Sequence, residues 1–522
     1  MANDADVVII GSGFGGAITA ARLAERGYKV IVLERGRRWG TKYPRTVNDP
    51  WVWDVGHPEQ RNGWFDFRIF PNMTVVQGAG VGGGSLVYAN ISIIANEETF
   101  TSGWPAEITR NELLPYYDTV GQMLNVQRVP QSQWPERTKM IHEGAQNLGV
   151  PQKFRPLELA VTFDKDWSYD LPDPHNVEKH SKTFTNAQGQ QQGTCVHLGN
   201  CDVGCEAKAR NTLDLNYIPL AEQHGADVRP LHLVDKIETT ADGYRVSFNI
   251  INPDTHTLTP GTVTSRLVIV ACGSMGSTEL LLKCRDLHAS LPLINQNLGK
   301  GWSSNGDFLT PSLHLRRIKP TRGPTITAAI DMLDGSINGK DIFIEDGGLP
   351  DVARMALDQI ANGPATNDRE RALVQSVRLL SQLNVLDGIM PWFAQARDAS
   401  DGTISWKNGA MFLDWNVAAS EPTMNAVVDT HIELARKALG VPLVPLTWTA
   451  AKDLITPHPL GGARMGGSAA FGVVNHMGEV FGYRNLFVTD GAIVPKAIGL
   501  NPSRTIAALA ERCAKLIADD GR

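Results

Sequence analysis

A histidine in a rigid loop is the side chain of this sequence best suited to transferring a proton. His458 stands in Pro457-His-Pro-Leu-Gly-Gly462, where the neighbouring prolines and glycines predict a loop of fixed shape. Histidine is the usual proton-transfer group near neutral pH. The sequence has 13 histidines, most of which we expect to be structural or exposed, so the context of His458 is what singles it out.

Cysteines form the second cluster with chemical potential. Cys195, Cys201 and Cys205 crowd into one segment, although six cysteines in a chain of this length do not make a disulfide framework. Thiolates at this density hold iron–sulfur clusters or zinc in other proteins, form disulfides, or stay free in a reducing cytosol. The sequence leaves these four states open, and because the segment has only three cysteines, one ligand short of four, no metal site is predicted.

The amino terminus has the pattern of a dinucleotide-binding unit. A buried strand at positions 6–10 leads into Gly11-Ser-Gly13-Phe-Gly15-Gly16, a helix follows over 16–26, and a second strand over 28–33 ends at Glu34. The glycines permit a tight turn and close approach of a pyrophosphate to the helix start, and the acid lies where it would bind a ribose hydroxyl. NAD and FAD both use this unit, so the motif leaves the cofactor open.

A helix near the carboxyl terminus has a sharply predicted start. The pattern predicts a strand from Asn485 into Asp490 and Gly491, and then an amphipathic helix with Asn501 as N-cap and Pro502 as first helical residue. Such a terminus carries partial positive charge, which suits an anionic ring edge of a flavin. A helix that is merely well capped explains the stretch equally well.

Glycines also crowd positions 78–85, directly before the apolar segment 86–91. This density removes side chains where the backbone must lie against something flat or bulky. A further apolar run at 267–273 ends at Gly273, and we expect it to be a parallel strand of the same sheet as the amino-terminal unit.

Composition excludes several functional classes. The chain has 522 residues, 42% hydrophobic and 20% charged, with a net charge of −6, so we expect no nucleic-acid partner. No run approaches the ~18 apolar residues that span a bilayer, and the first apolar stretch is too short for a signal sequence. The expectation is a cytoplasmic protein without an integral membrane segment.

Together these segments resemble the glucose-methanol-choline (GMC) family of flavoproteins, within it the bacterial cholesterol oxidase branch. The resemblance covers positions 11–34, 78–91, 208–234, 268–273 and 458–510. It implies an α/β fold, with a Rossmann-like FAD-binding domain and an interleaved α+β substrate-binding domain built on an antiparallel sheet. We expect the first domain to comprise 1–40, 70–100, 194–308 and 451–522, and the second 41–69, 101–193 and 309–450.

The resemblance also implies which residues contact the cofactor. FAD is expected to bind without a covalent link, because no histidine occurs between positions 78 and 100. The expected contacts run from the pyrophosphate and ribose to the flavin and adenine: Gly11, Gly13, Phe14, Gly15, Gly16, Glu34, Gly84, Tyr88, Ala89, Ile91, Val234, Gly273, Asp490, Gly491 and Ser503.

By the same resemblance, His458 and Asn501 form the catalytic pair. Glu345, in Phe343-Ile-Glu-Asp-Gly-Gly-Leu-Pro350, matches an acidic segment near the substrate hydroxyl, with Asp346 as its alternative. Either Glu345 or His458 would receive the hydroxyl proton while the alcohol carbon gives hydride to the flavin. Trp392, Phe393, Phe412 and Trp415 line an apolar pocket or belong to the ordinary core.

The expected activity is oxidation of an alcohol of a hydrophobic, sterol-like substrate, with oxygen or another acceptor reoxidising the flavin. Three alternatives stay open at this point. One is a dehydrogenase for a small or aromatic alcohol with a quinone or protein acceptor, another is a lyase that uses the same histidine beside a structural flavin, and the third is an NAD-dependent dehydrogenase.

Overall fold

The computed structural model describes residues 3–40, 42–46, 48–337, 339–351 and 385–521. The α-helices in this part are α1 (Phe14–Glu25), α2 (Arg110–Met123), α3 (Glu136–Asn147), α4 (Val177–His180), α5 (Tyr217–Gln223), α6 (Gly273–Leu282), α7 (Val417–Lys437), α8 (Leu446–Ala451) and α9 (Ser503–Asp519). The strands are β1 (Ala5–Ile10), β2 (Val30–Leu33), β3 (Val52–Trp53), β4 (Phe65–Phe70), β5 (Met73–Gly78), β6 (Gln127–Arg128), β7 (Phe154–Pro156), β8 (Glu158–Leu159), β9 (Phe184–Thr185), β10 (Gln191–Gln192), β11 (Asp227–Arg229), β12 (His232–Thr240), β13 (Gly243–Asn252), β14 (Thr257–Val270), β15 (Lys300–Trp302), β16 (Phe308–Leu313), β17 (Ala328–Ile337), β18 (Lys340–Asp346), β19 (Ile389–Ala396), β20 (Gly402–Lys407), β21 (Ala410–Asp414), β22 (Val441–Pro442), β23 (Leu454–Thr456) and β24 (Leu486–Val488).

A parallel sheet forms the base of the molecule. Its strands β11, β2, β1, β14 and β24 run parallel in that order, and β13 and β12 extend it in antiparallel fashion from the first half of β14. The central strands β1 and β2 are almost fully buried because helices cover a sheet of this kind on both faces. The predicted Rossmann-like arrangement is therefore confirmed. The bounds of β1, α1, β2 and β24 differ from the predicted ones by at most two residues, whereas β14 begins ten residues before the predicted run at 267–273 and ends at Val270.

An antiparallel sheet makes up the second half of the architecture. Its order is β22-β16-β19-β18-β17-β7, and α3 and α7 pack against it. The predicted antiparallel sheet is thus confirmed. Its strands fall in the ranges expected for the substrate-binding domain, apart from Phe308 at the start of β16. The exact domain boundaries stay a prediction.

The two ends of the chain meet on one face of the parallel sheet. Helix α1 packs against α9 and α5. Arg22 on α1 donates two hydrogen bonds of 2.7 and 2.8 Å to the carboxylate of Glu511 on α9, which also accepts one of 2.7 Å from the hydroxyl of Tyr217 on α5. Across the described ranges, no helix combines the length and apolar character needed to cross a bilayer.

Candidate functional site

The amino-terminal glycine turn packs against backbone at three points. A Cβ on Gly11, which has φ 95°, would lie 2.3 Å from the carbonyl oxygen of Ala271. A Cβ on Gly15 would lie 2.6 Å from the carbonyl oxygen of Thr489, and one on Gly16 would lie 2.0 Å from that of Gly11. These contacts explain why the sequence has glycine where α1 begins against the ends of β14 and β24.

The start of α1 offers a place for an anion. Gly13 is its N-cap, and no side chain caps the helix, so the N–H groups of the first turn remain for another acceptor. The two glycine runs touch here, because a Cβ on Gly83 would lie 2.5 Å from the Cα of Gly13. Gly84 faces open space, and Phe14 packs edge-on against Tyr88 at 5.7 Å. Uncapped N–H groups beside glycine-lined space fit a pyrophosphate and a flat ring.

Glu34 lies at the end of β2, against the glycine turn. Its carboxylate accepts hydrogen bonds from the N–H and hydroxyl of Ser12 at 3.0 and 2.7 Å, and from the N–H of Gly36 at 2.8 Å. A carboxylate has about four acceptor positions, so one remains for a ribose hydroxyl. Val234 lies nearby on β12, where the N–H of His232 donates to the carbonyl of Glu34.

The stretch after the second glycine run meets the start of α9. Ser503 donates a hydrogen bond of 2.9 Å from its hydroxyl to the carbonyl of Ile91, and Ala89 is partly buried against the core. Both amide atoms of the buried Asn90 and the hydroxyl of the buried Ser92 have no hydrogen-bond partner among the described residues. Buried polar atoms are seldom left unpaired, so these fit a bound polar group.

Asn501 does not cap α9, and this corrects the sequence-based expectation. The helix begins at Ser503, Pro502 occupies the N-cap position, and no side chain caps the helix. The reason lies in the preceding loop, 498–500, because hydrogen bonds to Asn305 hold its backbone in place. The Oδ1 atom of Asn501 is buried without a partner, so the amide is available to a ligand.

His458 is clamped by an aspartate that the sequence did not reveal. The ring Nδ1 of His458 lies 2.8 Å from Oδ1 of Asp307, and its backbone N–H donates to Oδ2 at 3.2 Å. The hydroxyl of Thr456 donates to the same Oδ2 at 2.6 Å. Asp307 is 1% exposed, whereas 20% of the His458 side chain reaches solvent.

One short turn positions both members of the predicted catalytic pair. We call residues 303–307 the site turn: its Asp307 holds His458, and its Asn305 holds the loop before Asn501. The site turn is braced from behind by Asp398, whose carboxylate accepts hydrogen bonds from Ser303 and Ser304. Residues distant in sequence therefore depend on a common support.

Glu345 and Asp346 point to opposite faces of β18, as adjacent strand residues must. Asp346 accepts hydrogen bonds from the backbone N–H groups of Thr327 and Ala328 and contacts Arg137, so it is not available as an alternative to Glu345. Neither carboxyl oxygen of the fully buried Glu345 has a hydrogen-bond partner within the described chain.

The surroundings of Glu345 favour its neutral form. Burial, and after it the charges of Asp346 and Asp307, raises the pKa of Glu345 well above its usual range. The amides of Asn501 and Gln395 lie beside the carboxyl, and both amide atoms of Gln395 are also without hydrogen-bond partners among the described residues. A carboxyl and two amides thus converge in a buried place with unused hydrogen-bonding capacity.

Phe393 connects this polar group to His458. It is paired with Glu345 across β19 and β18, and its ring centroid lies 6.3 Å from that of His458. Trp392 is core, with its indole N–H bonded to Ser312, and Trp415 is also buried. Phe412 is 47% exposed, so of the aromatic residues considered only Phe393 lies beside the predicted catalytic residues.

The segment around Asp490 joins three pieces of the parallel sheet. Its buried carboxylate accepts hydrogen bonds from the backbone N–H of Gly273 at 2.8 Å and from the hydroxyl of Ser277. The carbonyl of Gly491 accepts one of 2.9 Å from the N–H of Gly461, which ties this turn to the His458 loop. Gly273 has φ 81° and little around it, so its backbone faces open space.

All six cysteines are free thiols in the structure. Cys195, Cys201 and Cys205 line a cavity of about 20 Å³, and burial raises the pKa of Cys201 to about 11. Among the described residues, no group of three or more His, Cys, Asp or Glu side chains is arranged to hold a metal ion.

The fold and the glycine-lined space define the class of protein. The family model for FAD-dependent oxidoreductases matches residues 6–43, the segment that holds β1, α1, β2 and Glu34. This match decides between FAD and NAD in favour of FAD. The chain is an FAD-dependent oxidoreductase.

Its family follows from the carboxyl-terminal half and from the full-length relatives. The family model "GMC oxidoreductase" matches residues 400–510, which include His458 and Asn501. A "Cholesterol oxidase" of Mycobacterium tuberculosis is 31% identical over 100% of this chain and 92% of that protein. A "Cholesterol oxidase" of Acinetobacter baumannii is 29% identical over 98% of this chain and 94% of that protein. The chain belongs to the GMC oxidoreductase family, in its cholesterol oxidase branch, and acts on alcohols.

A solved structure supports the fold. The pyridoxine 4-oxidase from Mesorbium loti has a TM-score of 0.64 with 15% identity, over 99% of each chain. At this identity the likeness shows the architecture alone.

Proposed function

We propose that the protein oxidises an alcohol group of a hydrophobic, sterol-like small molecule to a carbonyl, and that oxygen reoxidises its FAD. The cholesterol oxidases among its relatives support the substrate class and the acceptor. Phe393, beside His458, is consistent with an apolar substrate.

One observation carries the proposal. Glu345, Gln395 and Asn501 leave several hydrogen-bonding atoms unpaired in a buried place beside the ordered ring of His458. Leaving such atoms unmatched costs about 1–3 kcal/mol each, and a substrate hydroxyl would pair with them.

The residues of the chain and the cofactor would carry out different parts of the oxidation. Oxidation removes a proton from the alcohol oxygen and a hydride from its carbon, and bound FAD supplies the hydride acceptor. Asn501 and Glu345 bind and orient the hydroxyl, and the imidazole beside them is placed to take its proton.

Anaerobic stopped-flow spectroscopy tests the proposal. A sterol, a long-chain primary alcohol and an aromatic alcohol are mixed with wild-type enzyme, His458→Ala and Asn501→Ala, and flavin bleaching is followed before oxygen is added. His57→Ala is the control, since this side chain is 66% exposed. We expect the sterol to bleach the wild type fastest and each site variant to be slowed by about 100-fold or more, within the range for acid–base catalysis.

Three results would contradict the proposal. If no alcohol bleaches the flavin, the proposed alcohol oxidation is wrong and lyase chemistry is favoured. If the small aromatic alcohol bleaches it faster than the sterol, the proposed substrate class is wrong. If oxygen does not restore the bleached flavin, the proposal that oxygen is the acceptor is wrong.

A further inference from the structure

We infer that Asp307 is a positioning residue: it fixes the ring of His458 with its proton on Nδ1, so that the free Nε2 is held ready for the substrate proton. The inference rests on the proposed alcohol oxidation and deepens it by naming the residue that orients the base.

The clamp acts on both parts of the histidine. One oxygen of Asp307 holds the ring through Nδ1 and the other holds the backbone N–H of the same residue. The ring therefore cannot rotate without losing its bond to a buried carboxylate. Thr456 supports the second oxygen, so the aspartate itself is held in place.

The partner determines the tautomer. A carboxylate accepts hydrogen bonds only, so Nδ1 of His458 must donate, and the neutral imidazole then has its lone pair on Nε2. Within the described chain, Nε2 has no hydrogen-bond partner, and part of the side chain is exposed. In this arrangement the carboxylate holds Nδ1 of the histidine, and Nε2 is free to accept a proton.

Glu345 fits a different role. It is fully buried, lies near two other carboxyl groups and has no cation against it in the described structure, so its protonated form is favoured. A protonated carboxyl donates a hydrogen bond to the substrate oxygen and does not remove a proton from it.

The charged groups around His458 are few. Asp307 contacts it from the site turn, and Glu345 lies beyond Phe393 on β18. Asp398 lies behind the site turn, bonded to Ser303 and Ser304, and makes no hydrogen bond to the histidine. Asp398 therefore offers a matched control: a buried acid that is bonded to the site turn but makes no contact with the ring.

The first measurement needs no turnover. Diethyl pyrocarbonate acylates neutral imidazole, and mass spectrometry of the peptide containing His458 gives its acylation rate against pH in FAD-loaded enzyme. Because a hydrogen bond from Nδ1 to a carboxylate makes Nε2 of the neutral ring more nucleophilic, Asp307→Asn should lower the plateau acylation rate of His458. Asp398→Asn should keep the wild-type plateau, and an equal decrease in both variants would overturn the inference.

The second measurement follows flavin reduction by the best alcohol against pH. Asp307→Asn should lower the plateau rate by about 100-fold or more, with FAD content unchanged. Glu345→Gln should keep the wild-type midpoint at whatever rate it retains. If Glu345→Gln abolishes the pH dependence while Asp307→Asn retains the wild-type profile, Glu345 is the base and the inference is wrong.

The two failures are distinguishable. If no alcohol reduces the wild-type flavin, the proposed function fails. The acylation profile of His458 still decides whether Asp307 controls its ring.

Discussion

Loss of the Asn305 side chain should displace Asn501 from His458 more directly than any other change we consider. Its Nδ2 donates to the carbonyl of Leu500 at 2.9 Å, and its Oδ1 accepts from the N–H groups of Ile498 and Gly499 at 3.1 and 2.9 Å. Asn305 also has φ 56°, a conformation that asparagine tolerates better than alanine. Asn305→Ala therefore removes three buried hydrogen bonds and adds backbone strain.

The cost can be worked out from these contacts. At about 1 kcal/mol for each of the backbone groups left unpaired and about 1 kcal/mol for alanine in the left-handed region, the native loop loses about 4 kcal/mol. We expect the loop to move before the whole chain unfolds, because its neighbours remain buried by other contacts. A displacement of this kind should lower flavin reduction by at least about 100-fold, equivalent to about 2.7 kcal/mol.

The assay is anaerobic flavin reduction in Asn305→Ala, with FAD content read from absorbance. The control is Asn408→Ala, because Asn408 has φ 53° in an exposed hairpin and carries the strain without the buried hydrogen bonds. Asn408→Ala should reduce its flavin at the wild-type rate. Wild-type reduction in Asn305→Ala would refute the view that the site turn holds the catalytic residues together.

Two further predictions concern the cofactor and the pH range. Gly83→Ala should lower FAD retention, since its Cβ would lie 2.5 Å from Cα of Gly13 where ordinary contact begins near 3.4 Å, so the two glycine runs must separate by about 0.9 Å. Gly467→Ala meets nothing within 4 Å and should retain FAD on a desalting column, and equal loss in both variants would contradict the argument. Burial lowers the pKa of His431 to about 3, below its unfolded value of 6.5, so the stability from its neutral form is present above pH 6.5 and lost as pH falls toward 3. At pH 4.5 the loss is about 2.7 kcal/mol, and the melting temperature of His431→Gln should fall less than that of wild type between pH 6.5 and 4.5.

The parallel sheet was predictable because its signal is local. Continuous apolar runs ending in glycine or acid identify β1, β2 and the last part of β14, and the glycine spacing identifies the turn into α1. The orientation of Glu345 was harder to predict, because apolar and polar residues do not alternate cleanly along β18. Once the strand is known, its pleat separates Glu345 from Asp346.

The supports of the site could not be predicted from sequence. Asp307 and Asn305 stand in Ser303-Ser-Asn-Gly-Asp307, which looks like an ordinary polar turn, and their partners lie more than a hundred residues away. The start of α9 was misplaced for the same reason, because Asn305, and not local capping preference, determines the conformation before Pro502. Long-range hydrogen bonds of this kind produce no periodic pattern in the sequence.

The meeting of α1 with α9 has a consequence for biosynthesis. The glycine turn packs against Thr489 near β24, and α1 is bonded through Arg22 to Glu511, two residues that are synthesised long after the turn itself. A nascent chain therefore lacks one wall of its nucleotide pocket until the segment from Thr489 to Glu511 has left the ribosome. We expect FAD to bind only after that segment has emerged, and deletion of α9 should yield colourless protein.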